Sequence, residues 1–238
     1  MPAYNEEQAV SSTLAELVAI IAELGIKIDV VVVDDGSRDA TAEVARRAGA
    51  VTLRLPFNTG VGGAVRTGLR FAEQQRYDRA VVVDADGQHD PRSIPALLTR
   101  LDTGTDVVVG SRFLDPATTH HVGWPRRGAM RFLGAVVRRI TGQRLSDVTS
   151  GYRAFSDAAI RLLAREYPSE YLADTVEVLL IAHHAGLTLD EVAVTMRPRT
   201  VGVASSRSLS STFNYLRLLV EIASGGYRRS RVTRMDPP

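Results

Sequence analysis

The sequence predicts an α/β fold with a mostly parallel central sheet flanked by helices and a C-terminal amphipathic helix. Three observations carry that expectation. Short runs at Ile28–Val33, Ala80–Val83 and Asp106–Val109 are almost wholly apolar and rich in β-branched residues. Strands without polar alternation are buried on both faces, the habit of parallel sheets. Amphipathic stretches over Glu7–Leu24, Ala40–Ala48, Gly62–Gln75 and Ser93–Asp102 lie before and between them, and alternating strands and helices imply right-handed crossovers. At 238 residues the chain fits one large domain with at most a small appendage.

Taken in order, the elements have recognisable borders. Pro2-Ala3-Tyr4-Asn5-Glu6 reads as the loop after a strand, yet only Met1 precedes it. The first strand is therefore expected to be missing, a misplaced start being preferred to a sheet that lacks a central member. Thr13, Thr41 and Ser93 stand at or near helix starts, and Pro91 and Pro95 mark the beginning of the fourth helix. Each apolar run ends in acidic, glycine or arginine residues: Asp34-Asp35-Gly36, Asp84-Ala85-Asp86-Gly87 and Gly110-Ser111-Arg112. Ligands of open parallel sheets bind outside the carboxyl ends of the strands, so these polar ends gather at one edge.

The second half is less regular. Residues 113–127 read as a loop holding His120, His121, Trp124, Arg126 and Arg127, and 128–141 as a helix. The run Asp147–Arg153 is a turn into a short strand, followed by helices near 157–165 and 172–185 and a strand near 189–196. Leu209, Phe213, Leu216, Val220 and Ala223 recur at helical spacing after a polar segment. The expected division is therefore a domain over residues 1–208 and an amphipathic helix with a basic tail over 209–238.

Composition narrows the classes. Apolar residues at 45% and charged residues at 24% exclude disorder. The absence of cysteine excludes a disulfide scaffold, a Cys-ligated metal and a cysteine nucleophile. No apolar run approaches the roughly 18–20 residues that span a bilayer, and the N-terminus lacks a signal-peptide pattern, so the expected location is cytoplasmic. The net charge of +2 hides an asymmetry, because residues 197–238 contain eight arginines against Glu221 and Asp236. Such an end favours an anionic partner, either a phosphate-bearing ligand or a membrane surface.

Four segments are chemically suggestive. Asp84 and Asp86, with Gln88 two residues on, can present two carboxylates and an amide oxygen, a hard site for Mg²⁺ or Mn²⁺ completed by substrate phosphates. An Asp-rich turn is the competing reading. Asp34, Asp35 and Asp39 read first as an Asx turn capping the next helix, with a nucleotide base or ribose as the alternative partner. Asn58–Ala64 matches neither a dinucleotide fingerprint nor a P-loop and reads as a tight turn. Arg112, Arg126 and Arg207 are the loop arginines suited to phosphate, against surface solvation as the plain alternative. The pairs His120-His121 and His183-His184 lack partners at ligand spacing.

The motifs Pro2–Glu7, Val31–Ser37, Asp84–His89, Gly110–Phe113 and Ser146–Arg153, in that order, resemble glycosyltransferase family two. They are most similar to its dolichyl- and polyprenyl-phosphate mannosyltransferase branch and the glucosyl relatives of that branch. The resemblance covers about residues 1–207. It implies a GT-A nucleotide-diphospho-sugar fold. By motif position, Pro2, Tyr4, Glu6, Val33 and Asp35 would hold the nucleoside, Asp84 and Ala85 would line the nucleotide site, and Asp86 and Gln88 would ligate Mg²⁺ or Mn²⁺. Arg112 and Arg126 would contact phosphates, and Arg207 stands where the family usually has lysine.

The reaction so implied is inverting transfer of mannose or glucose from a donor of the GDP-mannose or UDP-glucose type to a polyprenyl phosphate. A phosphate monoester is largely ionised at neutral pH, having a second pKa near about 6, and needs no strong base. A hydroxyl acceptor would need one, for which Asp147 is the candidate with Asp174 behind it. Asp86, Asp147 and Arg112 are thus the expected catalytic residues, with a structural role for Asp147 as the alternative. The other functional readings are transfer to a saccharide or metabolite hydroxyl, and a non-catalytic nucleotide-sugar-binding protein. No nucleic-acid partner is expected. The C-terminal transmembrane helices of many relatives are absent from this sequence. Peripheral docking at the inner face of the cell membrane, or a membrane-anchored partner, is the expectation that follows.

Overall fold

The structure, a computed structural model, describes residues 1–114, 124–168 and 174–197. In chain order the elements are β1 (Pro2–Ala3), α1 (Val10–Leu24), β2 (Val31–Asp34), α2 (Thr41–Arg47), β3 (Val51–Arg54), α3 (Val61–Gln74) and β4 (Arg79–Val82). They continue as α4 (Ile94–Asp102), β5 (Val107–Ser111), α5 (Trp124–Thr141), β6 (Arg153–Ser156), α6 (Asp157–Glu166), α7 (Asp174–His184) and β7 (Leu189–Ala193). Three strands form an all-parallel sheet in the order β1-β2-β3, and four form a second in the order β4-β6-β5-β7. In the second sheet β5 and β7 are parallel, and β6 alone runs against its neighbours.

The expected strands and helices before residue 112 are all present with shifted ends. β3 was not anticipated. Its Val-Thr-Leu-Arg run is exposed at both ends, so it lacks the apolar block that marks a buried strand. The first strand is not wholly missing either. Pro2–Ala3 pairs in parallel with β2, Pro2 opposite Val33. Met1 extends that ladder, its carbonyl accepting from Val33 N at 2.9 Å and its amino group donating to Val31 O at 2.8 Å.

Thr41 opens α2, Ser93 immediately precedes α4 and Thr13 lies in the first turn of α1, as expected. The Thr13 hydroxyl donates to Ala85 O at 3.0 Å. Neither Thr41 nor Ser93 caps by its side chain. Asp39 accepts from Thr41 N at 3.0 Å, and Asp90 from Arg92 N at 3.0 Å, ahead of the short 3₁₀ turn at Pro91–Ser93. The α5 helix begins at Trp124, four residues before the expected 128, so Arg126 is helical and not in a loop. Residues 115–123, with His120 and His121, lie outside the described residues, as does everything from 198 on: Arg207, the amphipathic stretch and the expected boundary at 208.

The sheets are the middle layer of a sandwich. On one face α1 and α4 pack Leu17, Ile94 and Leu97 against Val83, Val108 and Tyr152. On the other, α3, α5, α6 and α7 bury Leu69, Leu133, Ile160, Leu163 and Leu179 around Val107, Val109 and Phe155. Each such aliphatic side chain contributes on the order of 1.5–3 kcal/mol on removal from water.

Candidate active site

Parallel strands deliver their C-terminal loops to one edge, and that edge collects most of the residues singled out above. After β1, the loop Tyr4–Glu7 is clasped to the loop after β2. Asn5 N donates to Ser37 Oγ at 2.9 Å, Glu6 N to Thr41 Oγ1 at 2.9 Å and Ala40 N to Glu7 Oε2 at 3.0 Å. Asn5 sits at φ 54, a left-handed conformation that asparagine tolerates better than most residues. Its side chain accepts from Arg38 N at 2.9 Å. Glu6 is buried and Tyr4 partly so.

The β2 end carries two buried aspartates with separate tasks. Asp34 Oδ1 accepts from Ser37 N at 3.0 Å, the Asx turn anticipated for this segment, while its Oδ2 lies 3.2 Å from Arg54 Nε. Asp35 accepts from Thr59 N at 2.7 Å and Thr59 Oγ1 at 2.8 Å. That bond ties β2 to the glycine-rich turn before α3. The turn needs its glycines for close approach, since a Cβ on Gly63 would stand 2.2 Å from Thr59 Oγ1. Likewise Gly36, at φ 70, faces the Phe57 backbone carbon at 2.6 Å from its own Cβ position. Both carboxylates of the β2 end are thus engaged within the protein, next to buried Val33.

The loop after β4 holds the acidic motif. Asp86 Oδ1 accepts from Gln88 N at 3.0 Å around Gly87, whose φ of 75 makes the turn. Ala85 is buried and held to α1 through Thr13. Asp84 is partly exposed and is gripped from behind by His89. His89 Nδ1 accepts from Asp84 N at 3.1 Å, and His89 Nε2 lies 3.5 Å from Asp84 Oδ2. The acceptor role of Nδ1 makes Nε2 the protonated nitrogen facing the carboxylate. The imidazole is buried and stacked on Tyr152, ring centroids 4.5 Å apart and 9° from parallel. Burial pushes the Tyr152 phenol up, and its hydroxyl donates to Asp90 O at 2.9 Å.

Arg197, the last described residue, closes over this loop. Its N donates to Gln88 O at 2.8 Å, and its guanidinium reaches Glu16 and, at 2.8 Å, Asp90. The Glu16 hydrogen bond is the main cause holding its pKa above the ordinary value.

After β5, Arg112 meets Asp147. The guanidinium is bidentate, Nε to Oδ2 at 2.6 Å and Nη2 to Oδ1 at 2.8 Å, with Thr149 Oγ1 a further 3.1 Å contact. The Asp147 side chain is wholly enclosed, whereas Arg112 keeps 19% of its own exposed. Both Asp147 oxygens are taken by Arg112 and its side chain is enclosed, an arrangement that suits the structural alternative, in which it aims Arg112 and holds the 147–153 turn. That turn lies against the acidic loop, since a Cβ added at Gly151 would stand 3.9 Å from Asp84 Oδ2.

The edge therefore brings together Pro2, Tyr4, Glu6, Val33, Asp35, Asp84, Ala85, Asp86, Gln88, Arg112 and Asp147. It does not show Arg126 or Asp174, whose side chains lie outside the described residues, or Arg207. Sequence reasoning missed Thr59, His89, Arg197 and the pairing role of Asp147. Only His89 left a sequence signal, as the sole histidine beside an acidic strand end.

Two carboxylates and an amide at one strand end, with a partly exposed arginine at the end of β5 on the same edge, are residue types able to hold a diphosphate and a divalent cation. The family described as Glycosyl transferase family 2 matches residues 1–163. The chain is 32% identical over 210 residues to the undecaprenyl-phosphate mannosyltransferase of Micrococcus luteus, covering 85% of this chain and 84% of that protein. It is 26% identical over 235 residues to the polyprenol monophosphomannose synthase of Mycolicibacterium smegmatis, covering 96% and 86%. Among solved structures, glucosyl-3-phosphoglycerate synthase from Mycobacterium tuberculosis, in complex with Mn²⁺, UDP-glucose and phosphoglyceric acid, superposes with a TM-score of 0.68 at 22% identity, over 96% of this chain and 79% of that one. The order of the motifs, the edge they share and these likenesses agree: the chain belongs to glycosyltransferase family 2 and is a glycosyltransferase of the GT-A fold.

Proposed function

We propose that the protein transfers a hexose, mannose or glucose, from a nucleotide-diphospho-sugar to a polyprenyl phosphate with inversion. The observation that carries the acceptor class is the Arg112–Asp147 pair. It removes the one described candidate base from solvent and leaves a partly exposed guanidinium, which suits an acceptor already ionised. The relatives named for undecaprenyl and polyprenol phosphates support the same reading.

The residues fit a divalent cation. Asp84, Asp86 and Gln88 supply hard oxygens at one turn, while no group of three or more His, Cys, Asp or Glu gathers among the described residues. Such a set suits Mg²⁺ or Mn²⁺ whose coordination is completed by phosphate oxygens and water. Held by Asp86 and Gln88, the cation would supply charge stabilisation to the departing diphosphate. Around it, the Tyr4–Glu7 and Asp34–Ser37 loops bind the nucleoside, and His89 orients Asp84. Arg112 binds phosphate, with Arg126 and Arg207 as further phosphate contacts. Asp147 orients Arg112 and moves no proton.

No helix among the described residues is long and apolar enough to cross a membrane. We assign residues 1–208 to the catalytic domain and 209–238 to docking on an anionic membrane surface or a membrane-anchored partner.

The test is transfer from labelled GDP-mannose and UDP-glucose to undecaprenyl phosphate, beside a free saccharide acceptor, with and without EDTA. Chelator-sensitive label in the lipid fraction is expected, and Asp86→Ala should lower turnover about 10²–10³-fold. Label on the saccharide alone would move the acceptor to a hydroxyl. Nucleotide-sugar binding without transfer or hydrolysis would leave a non-catalytic protein.

A further inference from the structure

Asp147 and Thr149 fix the guanidinium of Arg112, and a second set of hydrogen bonds fixes its backbone. That set starts at Glu191 on β7. In the parallel β5–β7 ladder Glu191 lies opposite Val109 and Ala193 opposite Ser111, so Glu191 stands two residues short of the β5 end. Glu191 Oε2 accepts from Ser146 N at 2.8 Å and from Ser146 Oγ at 2.8 Å. Ser146 Oγ and Ser111 Oγ are 2.6 Å apart, and Phe113 N donates to Ser111 Oγ at 3.1 Å. The series thus links β7, the residue before Asp147 and both chain neighbours of Arg112.

The direction of the series follows from counting protons. A serine hydroxyl has one proton, and a carboxylate at neutral pH only accepts. The Ser146 proton goes to Glu191, so Ser146 Oγ is the acceptor in its short contact with Ser111. The Ser111 proton goes there, and Ser111 Oγ keeps its lone pairs for Phe113 N. Every proton in the series points toward one carboxylate, and hydrogen bonds aligned in this way strengthen one another. Ser111 is wholly buried, so bulk water does not replace a lost partner. Ser146 is exposed, and bonds at an exposed residue contribute little to global stability. What they determine is orientation.

We propose that Glu191 is a positioning residue for phosphate binding by Arg112, acting through Ser146 and Ser111. The proposal rests on the reading of Arg112 as a phosphate contact. Bidentate recognition needs the guanidinium plane held in place, and a misplacement on the order of 1 Å can cost about 10²-fold. The two clamps divide that task. Asp147 sets how the Arg112 side chain points, whereas Glu191 sets where its backbone stands. They also share a hinge, because the Ser146 N bond anchors the chain one residue before Asp147 and the Phe113 N bond anchors it one residue after Arg112.

The experiment is a double-mutant cycle on the full chain, with Glu191→Ala, Arg112→Lys and the two combined, assayed with undecaprenyl phosphate and the nucleotide sugar. Lysine at 112 keeps the charge beside buried Asp147, so the variant folds where an alanine there would strand a carboxylate. Glu191→Ala should raise KM for the lipid phosphate about 10-fold or more, leave KM for the nucleotide sugar unchanged and move Tm by less than about 4 °C. Glu191→Gln keeps an acceptor oxygen and should recover most of the loss. On the Arg112→Lys background Glu191→Ala should add little, since residues that act through one another are not additive. Amide exchange at Phe113, which needs no substrate, should quicken in Glu191→Ala. A weakened Arg112→Lys beside an unimpaired Glu191→Ala overturns the proposal and leaves the phosphate role of Arg112 standing. Additive losses, equal rises in both KM values, losses that track Tm, or unchanged exchange at Phe113 also overturn it. An unchanged lipid KM in Arg112→Lys, or no transfer to undecaprenyl phosphate by the unaltered chain, overturns the phosphate reading of Arg112 and the proposal with it.

Discussion

Each of the two sheets buries one aspartate against an arginine at the binding edge, and the two pairs are built differently. In the β1-β2-β3 sheet, Asp34 meets Arg54 through a single 3.2 Å contact, and the arginine is 44% exposed. In the β4-β6-β5-β7 sheet, Asp147 meets Arg112 through two contacts and the arginine is 19% exposed. The surroundings differ in the same sense. β5 is buried along its whole length, whereas β3 is exposed at both ends and β1 has two residues. The lesson is a division of labour. The second sheet fixes charge by packing, and the first holds its loops by hydrogen bonds between neighbouring turns.

The strongest way to break this contrast is Asp147→Ala. It strands Arg112 in a mostly enclosed site, and urea unfolding should report a loss of about 3–5 kcal/mol. Asp147→Asn keeps the shape and isolates the charge. If phosphate binding by Arg112 depends on its aim, KM for the lipid phosphate should rise while KM for the nucleotide sugar holds. A pH series on the 238-residue chain probes the first sheet. The Met1 amine is neutral in the folded state down to about 6 and is protonated near 8 when unfolded. Between those values only the unfolded chain binds the proton, so stability rises with pH by up to about 2–3 kcal/mol. N-terminal acetylation should flatten that slope, and an unchanged slope would place its origin elsewhere. Arg54→Met should cost less than the Asp147 change, about 1–2 kcal/mol, because Asp34 keeps its bond from Ser37 and the arginine is half in solvent. The smallest effect belongs to Arg92→Ala, which removes an exposed pair with Glu23. Calorimetry should show no measurable shift in Tm, and a clear one would mean that surface pairs matter more here than packing predicts.

Legibility in the sequence followed burial. Runs such as Val31–Val33 and Val107–Val109 are apolar because both faces are covered, and they were readable at once. β3 was not, since its alternation is that of a half-solvated edge. The acidic loop was readable as a possible oxygen site from Asp84, Asp86 and Gln88 alone. The His89–Tyr152 stack that supports it joins residues 63 positions apart in the chain and leaves no periodic trace. Asp147 shows the same limit from the other side. Its residue type fitted a base or a structural anchor equally, and its bidentate contact with Arg112, 35 residues away, leaves no mark in the sequence. The glycine run at 58–64 was read as a tight turn, and a Cβ on Gly63 would meet the Thr59 side chain there.

The reversal of β6 has its own consequence for how this architecture can vary. A strand running with its neighbours offers the edge the residues that follow it, whereas β6, running against them, offers the residues that precede it. The six-residue step from Asp147 to Arg153 therefore works as a ruler. Arg153 is pinned by backbone carbonyls at Ser150, Val148 and Thr175, so the zero of the ruler does not move. Lengthening or shortening the turn slides the Arg112 anchor along the edge while every strand keeps its register. The position of the Arg112–Asp147 pair becomes adjustable one residue at a time, with the loops after β1, β2 and β4 left untouched.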